Sequence, residues 1–298
     1  MSETASQKLR KLIEAPELLI VPGVFDGIST RTALAQNFQA LYMTGAGVAA
    51  SRVGMPDIGI VTLTEMAQTA DMIAGINPDI PVIADADTGY GNTAMCARTL
   101  QAYTHAGVAA LHVEDQVLSK RCGHLLGKQV VSEEEFLSRI RAMVIERQRI
   151  NSDILIIARS DAAQELGVAE AIKRCKAAVV AGADIAFVEA IQNEDEAKKV
   201  TSELHPTPCL LNMVPHGVTP NWSKEKIQEL GFKLAIYPGV ALRGAATSVA
   251  ESLKELYDNG KVADVPDGSD VKQFFMTMGL KQFLTLDQLA GGSTFKKI

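Results

Sequence analysis

Short apolar runs recur along the chain, and stretches with helical periodicity separate them. The runs cover residues 18–21, 40–43, 82–85, 110–114, 154–159, 185–189, 209–212 and 234–237. Such nearly continuous apolar character is typical of parallel strands that are buried on both faces. The pattern therefore predicts eight β-strands that alternate with α-helices.

Helix starts and ends support this alternation. Segments 62–65 and 132–135 begin with a hydroxyl residue and end with Glu, the capping-box pattern that satisfies free amides at a helix N-terminus. Gly107, Gly182 and Gly231 each lie shortly before a predicted strand, where a helix is expected to end. Eight βα units predict a (β/α)8 barrel of the TIM type, although a doubly wound open sheet has a similar periodicity.

Polar residues at the predicted strand ends favour the barrel. They are Tyr42, Thr44, Asp85, Asp87, Glu114, Arg159, Asp161, Glu189 and Asn212. A barrel brings the carboxyl ends of all its strands to one rim, where the chemistry of such enzymes is found. Helical patterns continue over 241–259 and 271–283. We expect residues 1–240 to form the barrel and residues 241–298 a C-terminal helical extension of the same unit.

Composition narrows the classes of partner. The chain has 298 residues, 47% of them hydrophobic, which is enough for one large domain. Its net charge of −6, without a block of Lys and Arg, argues against nucleic acid or an anionic membrane surface as partner. Four scattered cysteines fit a reducing compartment. With a polar N-terminus and no apolar segment of about 20 residues, a cytoplasmic protein without a membrane partner is expected.

Carboxylates at two strand ends predict a metal site. Asp85 and Asp87 are two residues apart at the end of one apolar run, so alternation along a strand directs both to one side. Glu114 ends the next run. Hard oxygen ligands suit Mg²⁺ or Mn²⁺ better than zinc, which would recruit Cys and His. The Cys122 thiol is then free for chemistry, whereas the other three cysteines are interpreted as buried apolar filler.

Six segments together resemble the isocitrate lyase and phosphoenolpyruvate mutase superfamily across nearly the whole chain. They are PGVFD at 22–26, YMTGAG at 42–47, DADTGYG at 85–91, EDQ at 114–116, KRCGH at 120–124 and ARSD at 158–161. The resemblance implies a (β/α)8 barrel whose terminal helices swap between the subunits of a homotetramer.

The KRCGH segment resembles the carbon–carbon lyase branch of this superfamily rather than the phosphonate branch. Retro-aldol cleavage between C2 and C3 of a 2-hydroxy acid leaves an enolate-like fragment whose carbon must be protonated. Cys122 is the candidate acid. The resemblance further implies that the loop from Val117 to Gln129 closes over the substrate, and Gly123 is expected to let it bend.

The resemblance also implies the roles of the acidic residues. Asp85 would bind Mg²⁺ directly, with Mn²⁺ as the alternative, while Asp57, Asp87 and Glu114 would hold its waters. The substrate's C1 carboxylate and C2 oxygen would chelate the ion, which acts as a Lewis acid. Tyr42 is the expected base for the C2 hydroxyl.

The remaining polar residues are expected to bind a dicarboxylate substrate. Arg159 would clamp its oxyanions, because a planar guanidinium matches a carboxylate bidentately, and Asp161 would orient it. The groups expected at the C1 carboxylate are the Thr44 hydroxyl and the amides of Gly45 and Ala46. Those expected around the second carboxylate are Lys120, His124, Glu189 and Asn212. His112, within a predicted strand, is interpreted as structural.

The choice of substrate depends on segment 212–220, NMVPHGVTP. It lacks the Ser-Pro-Ser run of isocitrate lyases and resembles enzymes that act on 2,3-dimethylmalate and, less closely, on 2-methylisocitrate. Pro220 is expected near the substrate, where it cannot replace the serine that oxaloacetate hydrolases use. The expected reaction is Mg²⁺-dependent cleavage of (2R,3S)-2,3-dimethylmalate into propionate and pyruvate. The alternatives are cleavage of 2-methylisocitrate, hydrolysis of oxaloacetate, phosphonopyruvate-type mutase or hydrolase chemistry, and a catalytically inactive scaffold.

Overall fold

A closed parallel barrel forms the centre of the computed structural model, which describes residues 3–123, 125–262, 268 and 270–295. Its strands are β1 (Leu19–Val24), β2 (Leu41–Met43), β3 (Val82–Asp85), β4 (Ala110–Glu114), β5 (Leu155–Ser160), β6 (Ile185–Val188), β7 (Cys209–Asn212) and β8 (Leu234–Tyr237). Consecutive strands pair in order, and β1 also pairs with β8, with Leu19 opposite Leu234. The predicted (β/α)8 barrel is confirmed, and this closing pair excludes an open sheet.

The helices of the described residues surround the barrel and extend beyond it. They are α1 (Ala5–Glu14), α2 (Gly27–Ala35), α3 (Gly45–Val48), α4 (Leu63–Ile76), α5 (Thr93–His105), α6 (Glu133–Arg149), α7 (Ala163–Leu166), α8 (Val168–Val180), α9 (Glu194–Leu204), α10 (Lys224–Glu229), α11 (Val240–Asn259), α12 (Val271–Thr277) and α13 (Leu280–Leu289). A π-helical turn, Ala49–Val53, follows α3. None of these described helices combines the length and apolar character that a membrane crossing needs.

The predicted helix boundaries are largely confirmed. Thr62 and Glu65 form a complete capping box at the start of α4. Ser132 accepts the Glu135 amide at the start of α6, but the Glu135 carboxylate pairs with Arg139 instead of completing the box. The three glycines expected at helix ends all adopt positive φ, with values of 78°, 110° and 91° in chain order.

Helix α1 was not predicted from the sequence. Its N-cap Thr4 and Gln7 form a capping box, and Leu9 and Ile13 are buried in the cluster that fills the barrel interior. That cluster includes Leu19 and other residues at the beginnings of the strands. The helix therefore covers the amino-terminal end of the barrel, opposite the rim that carries the polar residues. The Thr4-to-Gln7 spacing was the signal that could have revealed it.

The C-terminal helices lie outside the barrel core. None of the described residues in α11, α12 or α13 is buried, although the helices carry Val249, Leu253, Phe274, Phe283 and Leu286 at 47–62% exposure. The single helix expected over 271–283 is wrong, because the chain turns at Gly279 with φ of 93° and divides it into α12 and α13. Swapping of these helices between subunits stays a prediction.

Candidate active site

A cavity of about 210 Å³ opens at the carboxyl ends of the strands. The residues that line it are Tyr42, Thr44, Ala46, Asp57, Asp85, Cys122, Gly123, Arg159, Glu189, Asn212, Val214, Pro238, Gly239, Leu242 and Arg243. Strand register places Asp85 opposite His112, and Glu114 opposite Arg159. The chain thus brings most of the predicted site residues to one rim, as expected for a barrel.

Asp85 and Asp87 approach each other through a turn rather than along a strand. Strand β3 ends at Asp85, and Asp87 follows it with φ of 44°, in the left-handed region. The Asp87 amide donates to Asp85 Oδ1 at 2.9 Å, and the Gly45 amide donates to Asp85 Oδ2 at 3.2 Å. The sequence argument from strand alternation is therefore wrong about the cause, although both carboxylates reach the same side of the site.

Lys120 lies among these carboxylates. Its Nζ is 2.7 Å from Asp57 Oδ1 and 2.5 Å from Asp87 Oδ1, and the side chain is 2% exposed. Burial opposes its charge, but the neighbouring carboxylates outweigh burial and raise the pKa of Lys120 well above its usual value. The prediction that Lys120 surrounds a second substrate carboxylate is corrected, because its ammonium contacts Asp57 and Asp87. These two residues, with Asp85 and Glu114, form what is called here the acidic side of the site.

Burial disfavours the charged forms of two carboxyl groups on the acidic side of the site. Burial and the nearby carboxylates raise the pKa of Asp87 to about 6, and burial raises that of Glu114 well above its usual value. Glu114 Oε2 is buried and accepts no hydrogen bond within the described residues, although an Arg159 Nη lies 3.2 Å away. For Asp85 burial also opposes ionisation, but surrounding positive charge, including that of Lys120, outweighs it and lowers the pKa to about 2.

These oxygen donors fit a hard divalent cation better than a soft one. Within the described residues no three acidic, His or Cys side chains surround one point closely enough to form a direct metal cage. The arrangement therefore fits a cation that one carboxylate binds directly and the others hold through water.

Arg159 is the principal buried cation of the cavity. Its Nε donates to Asp161 Oδ2 at 2.8 Å and an Nη donates to Asp161 Oδ1 at 3.1 Å, so the prediction that Asp161 orients it is confirmed. The other neighbouring carboxylates are Glu114 at 3.2 Å and Glu189 at 3.5 Å. The guanidinium also lies over the Phe187 ring, 5.2 Å from its centroid. Arg159 is fixed before any substrate binds.

Glu189 and Asn212 meet beside this guanidinium. Asn212 Nδ2 donates to Glu189 Oε2 at 2.9 Å, and Glu189 Oε1 accepts the Ala190 amide at 2.9 Å. Both residues line the cavity. Their binding of a second carboxylate stays a prediction, while the geometry makes Glu189 a support for Arg159. His124, predicted beside them, lies outside the described residues.

Cys122 is half-buried and faces the cavity, whereas the other three cysteines are buried. Its amide donates to the Asp57 carbonyl at 3.1 Å. Burial raises the pKa of Cys96 to about 11 and that of Cys209 to about 12, and it raises that of Cys175 further. Their interpretation as apolar filler is confirmed, and Cys122 alone among the cysteines reaches the site.

Gly123 lets the loop backbone approach the buried ion pair closely. A Cβ added to it would lie 2.5 Å from an Arg159 Nη and 3.0 Å from Glu189 side-chain carbons. The loop backbone therefore packs directly on the buried ion pair, and a larger residue would require the loop or these side chains to shift. The role of Gly123 in bending the loop stays a prediction.

Tyr42 and His112 form a buried pair that the sequence did not predict. The Tyr42 hydroxyl lies 2.8 Å from His112 Nε2, and the rings are stacked with centroids 5.7 Å apart. Burial lowers the pKa of His112 to about 4, so the imidazole is neutral at pH 7. Burial and the charge of Asp85 raise the pKa of Tyr42 well above its usual value. His112 lies two residues before Glu114 in the same strand, so both side chains are directed to the same face of the sheet. This spacing could have indicated that His112 faces the site.

The segment after β2 presents the groups predicted to bind the C1 carboxylate. The Thr44 hydroxyl accepts the Gly47 amide at 3.4 Å as the N-cap of α3, and Ala46 lies on the cavity wall. The Gly45 amide, in contrast, donates to Asp85. The prediction that the Gly45 amide binds the C1 carboxylate is corrected, because this amide supports Asp85 instead.

One wall of the cavity was missed entirely. Pro220 is exposed and does not line the cavity, so its predicted proximity to the substrate is corrected. The wall consists instead of Val214, Pro238 and Leu242, with the exposed Arg243 at its edge. Leu242 and Arg243 belong to the first turn of α11, whose sequence carries no motif that could have placed them there.

The profile of the phosphoenolpyruvate phosphomutase family matches residues 9–257. The chain belongs to this family. It is 38% identical to a 2,3-dimethylmalate lyase of Eubacterium barkeri over 92% of this chain and 94% of the relative. It is 36% identical to a 2-methylisocitrate lyase of Bacillus subtilis over 96% of this chain and 93% of the relative. The predicted assignment to the superfamily of isocitrate lyases and phosphoenolpyruvate mutases, as a carbon–carbon lyase, is confirmed.

Solved structures agree with this assignment. A 2,3-dimethylmalate lyase, described as a member of the PEP mutase/isocitrate lyase superfamily, superposes with a TM-score of 0.96 at 45% identity, covering 100% of this chain and 99% of its own. An oxaloacetate acetylhydrolase bound to 3,3-difluorooxalacetate gives 0.95 at 44% identity, covering 98% and 99%. A phosphonopyruvate hydrolase in complex with oxalate and Mg²⁺ gives 0.84 at 26%, covering 96% and 99%.

Proposed function

We propose that this enzyme is a Mg²⁺-dependent lyase that cleaves (2R,3S)-2,3-dimethylmalate between C2 and C3 into propionate and pyruvate. The observation that carries the proposal is the meeting of the Cys122 thiol, the Arg159 guanidinium and an apolar wall in one cavity. The similarity to dimethylmalate lyases supports the choice of substrate.

The cavity offers complementary surfaces for a small branched dicarboxylate. Arg159 supplies a fixed cation for one carboxylate, since two of its nitrogens are already held by Asp161. Tyr42, Thr44 and Ala46 also line the cavity. Val214, Pro238 and Leu242 present carbon to the cavity, which suits methyl substituents at C2 and C3 better than polar ones.

The acidic side would hold the metal ion, with Asp85 as direct ligand and Asp57, Asp87 and Glu114 holding its waters. Bound there, Mg²⁺ or Mn²⁺ would supply Lewis-acid polarisation of the substrate's C2 oxygen. Burial raises the pKa of Asp87 and of Glu114, and a divalent cation would favour their charged forms, which supports this proposal. Pyruvate release that continues undiminished in EDTA would contradict it.

Two protons must move in the reaction. Tyr42 would accept the proton of the C2 hydroxyl while passing its own proton to His112 Nε2, which lies 2.8 Å from the Tyr42 hydroxyl. The relay replaces a free tyrosinate, which the buried site disfavours, by an imidazolium whose Nε2 lies 3.6 Å from Asp85 Oδ1, a carboxylate that offsets part of the cost of burial. When the C2–C3 bond breaks, its electron pair moves onto the departing fragment, and Cys122 protonates C3 to complete propionate.

A substrate panel tests the proposal. With Mg²⁺ present, keto-acid release is measured from 2,3-dimethylmalate, 2-methylisocitrate and isocitrate, and loss of substrate is measured for oxaloacetate and phosphonopyruvate, which are keto acids themselves. We expect the highest kcat/KM with 2,3-dimethylmalate. A higher value with oxaloacetate or phosphonopyruvate would refute the lyase assignment, and no turnover of any member would favour an inactive scaffold.

Cleavage of 2-methylisocitrate into succinate and pyruvate is the second candidate. Arg243 at the cavity edge is a cation that could bind the additional carboxylate of that substrate. If this candidate is correct, Arg243→Met should reduce kcat/KM with 2-methylisocitrate at least tenfold more than with 2,3-dimethylmalate. Equal effects on both substrates would remove the support for it.

We also propose that α11, α12 and α13 pack against another copy of the chain, in a homotetramer with exchanged helices. The exposed apolar side chains of these helices support the proposal, since an apolar surface of this kind is typical of a protein interface. Sedimentation velocity at micromolar concentration should report a tetramer, and a monomer would refute it.

A further inference from the structure

Lys128 is a buried lysine at the end of the loop over the cavity, defined here as the lid segment, residues 117–129. Its Nζ donates to the Gly123 carbonyl at 2.8 Å and to Asp161 Oδ1 at 2.8 Å. The side chains of both Lys128 and Asp161 have 0% exposure. A buried ammonium that bridges a lid carbonyl and a barrel carboxylate makes charge-assisted hydrogen bonds, which are stronger than neutral ones.

Asp161 is fixed from the barrel side independently of Lys128. Its amide donates to Asp115 Oδ1 at 2.8 Å, and its carboxylate accepts two hydrogen bonds from Arg159. Asp115 is held in turn by the Ser160 hydroxyl at 2.8 Å and by Arg174 at 3.2 Å. Lys128 therefore attaches the lid segment to a rigid part of the barrel.

A second buried lysine of the lid segment, Lys120, contacts the carboxylates of Asp57 and Asp87. Further contacts of the segment are local or involve neutral donors. Val117 donates to the Gln129 carbonyl at 2.9 Å at the base of the segment, and Arg121 donates to the Leu126 carbonyl at 3.0 Å within it. The Cys122 amide donates to the Asp57 carbonyl. The bridge from Lys128 is fully buried and, unlike the ion pairs of Lys120, also holds the backbone of Gly123, the residue that follows Cys122.

We propose that Lys128 is a positioning residue that holds the lid segment closed by bridging Gly123 to Asp161, and thereby places Cys122 at the reacting carbon. The catalytic consequence rests on the proposed lyase function, whereas the effect on the lid does not. Lys128 touches neither the acidic side of the site nor the cavity, so it acts through Gly123 and Asp161 rather than on substrate.

Hydrogen exchange and steady-state kinetics on Lys128→Met test this inference in the full-length enzyme. Removing the ammonium deletes two charge-assisted bonds while preserving side-chain length. We expect amide exchange in residues 117–129 to accelerate at least about tenfold, with β5 and α6 unchanged, and kcat/KM to fall about 10- to 100-fold. Lys173→Met is the matched control, because that lysine is 62% exposed and pairs with Glu133 on the surface.

Each outcome decides the inference. Exchange of the lid segment equal to wild type would overturn it, and so would a uniform acceleration that includes β5 and α6, since Lys128 would then be a general stabiliser. If Lys128→Met does not fold, Lys128→Gln, which retains an amide donor, is measured by the same criteria. If the wild-type enzyme turns over none of the panel substrates, the proposed function fails while the exchange comparison still decides the role of Lys128.

Discussion

Gly123→Ala is the perturbation whose effect the structure defines most directly. The new methyl group would lie 2.5 Å from an Arg159 Nη, whereas ordinary contact begins at 3.4 Å. Arg159 cannot retreat easily, because Asp161 holds two of its nitrogens and Glu189 lies 3.5 Å away. Overpacking of this kind costs roughly 1–3 kcal/mol. If that cost is paid by displacing either the lid or Arg159, kcat/KM should fall roughly 5- to 150-fold.

Steady-state keto-acid release with the best panel substrate measures this effect. Gly75→Ala is the matched control, since it lies in α4 and its added Cβ meets nothing within 4 Å. That control should retain full activity and gain about 0.5–1 kcal/mol of stability, because alanine is the better helix former. A Gly123→Ala enzyme with kcat/KM within twofold of wild type would refute the argument that the loop backbone packs against a fixed guanidinium.

Three further predictions concern the proton donor and the acidic side. Cys122→Ser should lower kcat about 100- to 10,000-fold, since a hydroxyl is a much weaker acid, while Cys209→Ser should leave it within twofold; equal losses in steady-state assays would contradict this. In the metal-free protein the pKa of Asp87 is raised to about 6, so the carboxyl is protonated in the fold below that pH. Its contribution to the free energy of unfolding, measured by urea titration, should fall by about 2 kcal/mol as pH rises from 4 to 6. Asp87→Asn should remove that contribution and leave the one from Glu114, whose pKa is also raised, and a slope equal to that of the wild type would contradict the assignment. Gly45→Ala, whose Cβ would lie 2.5 Å from Asp85 Oδ2, should weaken Mg²⁺ binding measured by calorimetry at least about tenfold.

The barrel was predictable because its strands carry a strong local signal. The strands are apolar runs, most of which end in a polar residue or are followed directly by one, and burial on both faces leaves little ambiguity about their positions. Helix α1 was missed because its buried positions, Leu9 and Ile13, occupy a short segment that is otherwise polar. The break at Gly279 was missed because a glycine within a helical pattern is often tolerated.

The site was predictable where motif residues follow the strand ends and line the cavity. It was not predictable where contacts depend on loops that return from distant parts of the chain. Lys120 was misplaced because its position in a motif does not specify which way a long side chain turns, and buried carboxylates attract it. Pro220 lies in the segment that follows β7, but of that segment beyond the strand it is Val214 that lines the cavity, together with Pro238 after β8 and Leu242 in the first turn of α11. Only the tertiary structure shows which residues form this wall.

The first turn of α11 connects substrate selection with assembly. Leu242 and Arg243 line the cavity, while the rest of the same helix exposes Val249 and Leu253. A helix that is held on only one short stretch has limited stability by itself, because most helical stability in proteins comes from packing. Any partner that covers the exposed stretch would therefore also fix the cavity wall. If the proposed tetramer forms, its dissociation should change KM for substrates that contact this wall. The ionic contacts of Arg159 should stay as they are, because the barrel alone maintains them.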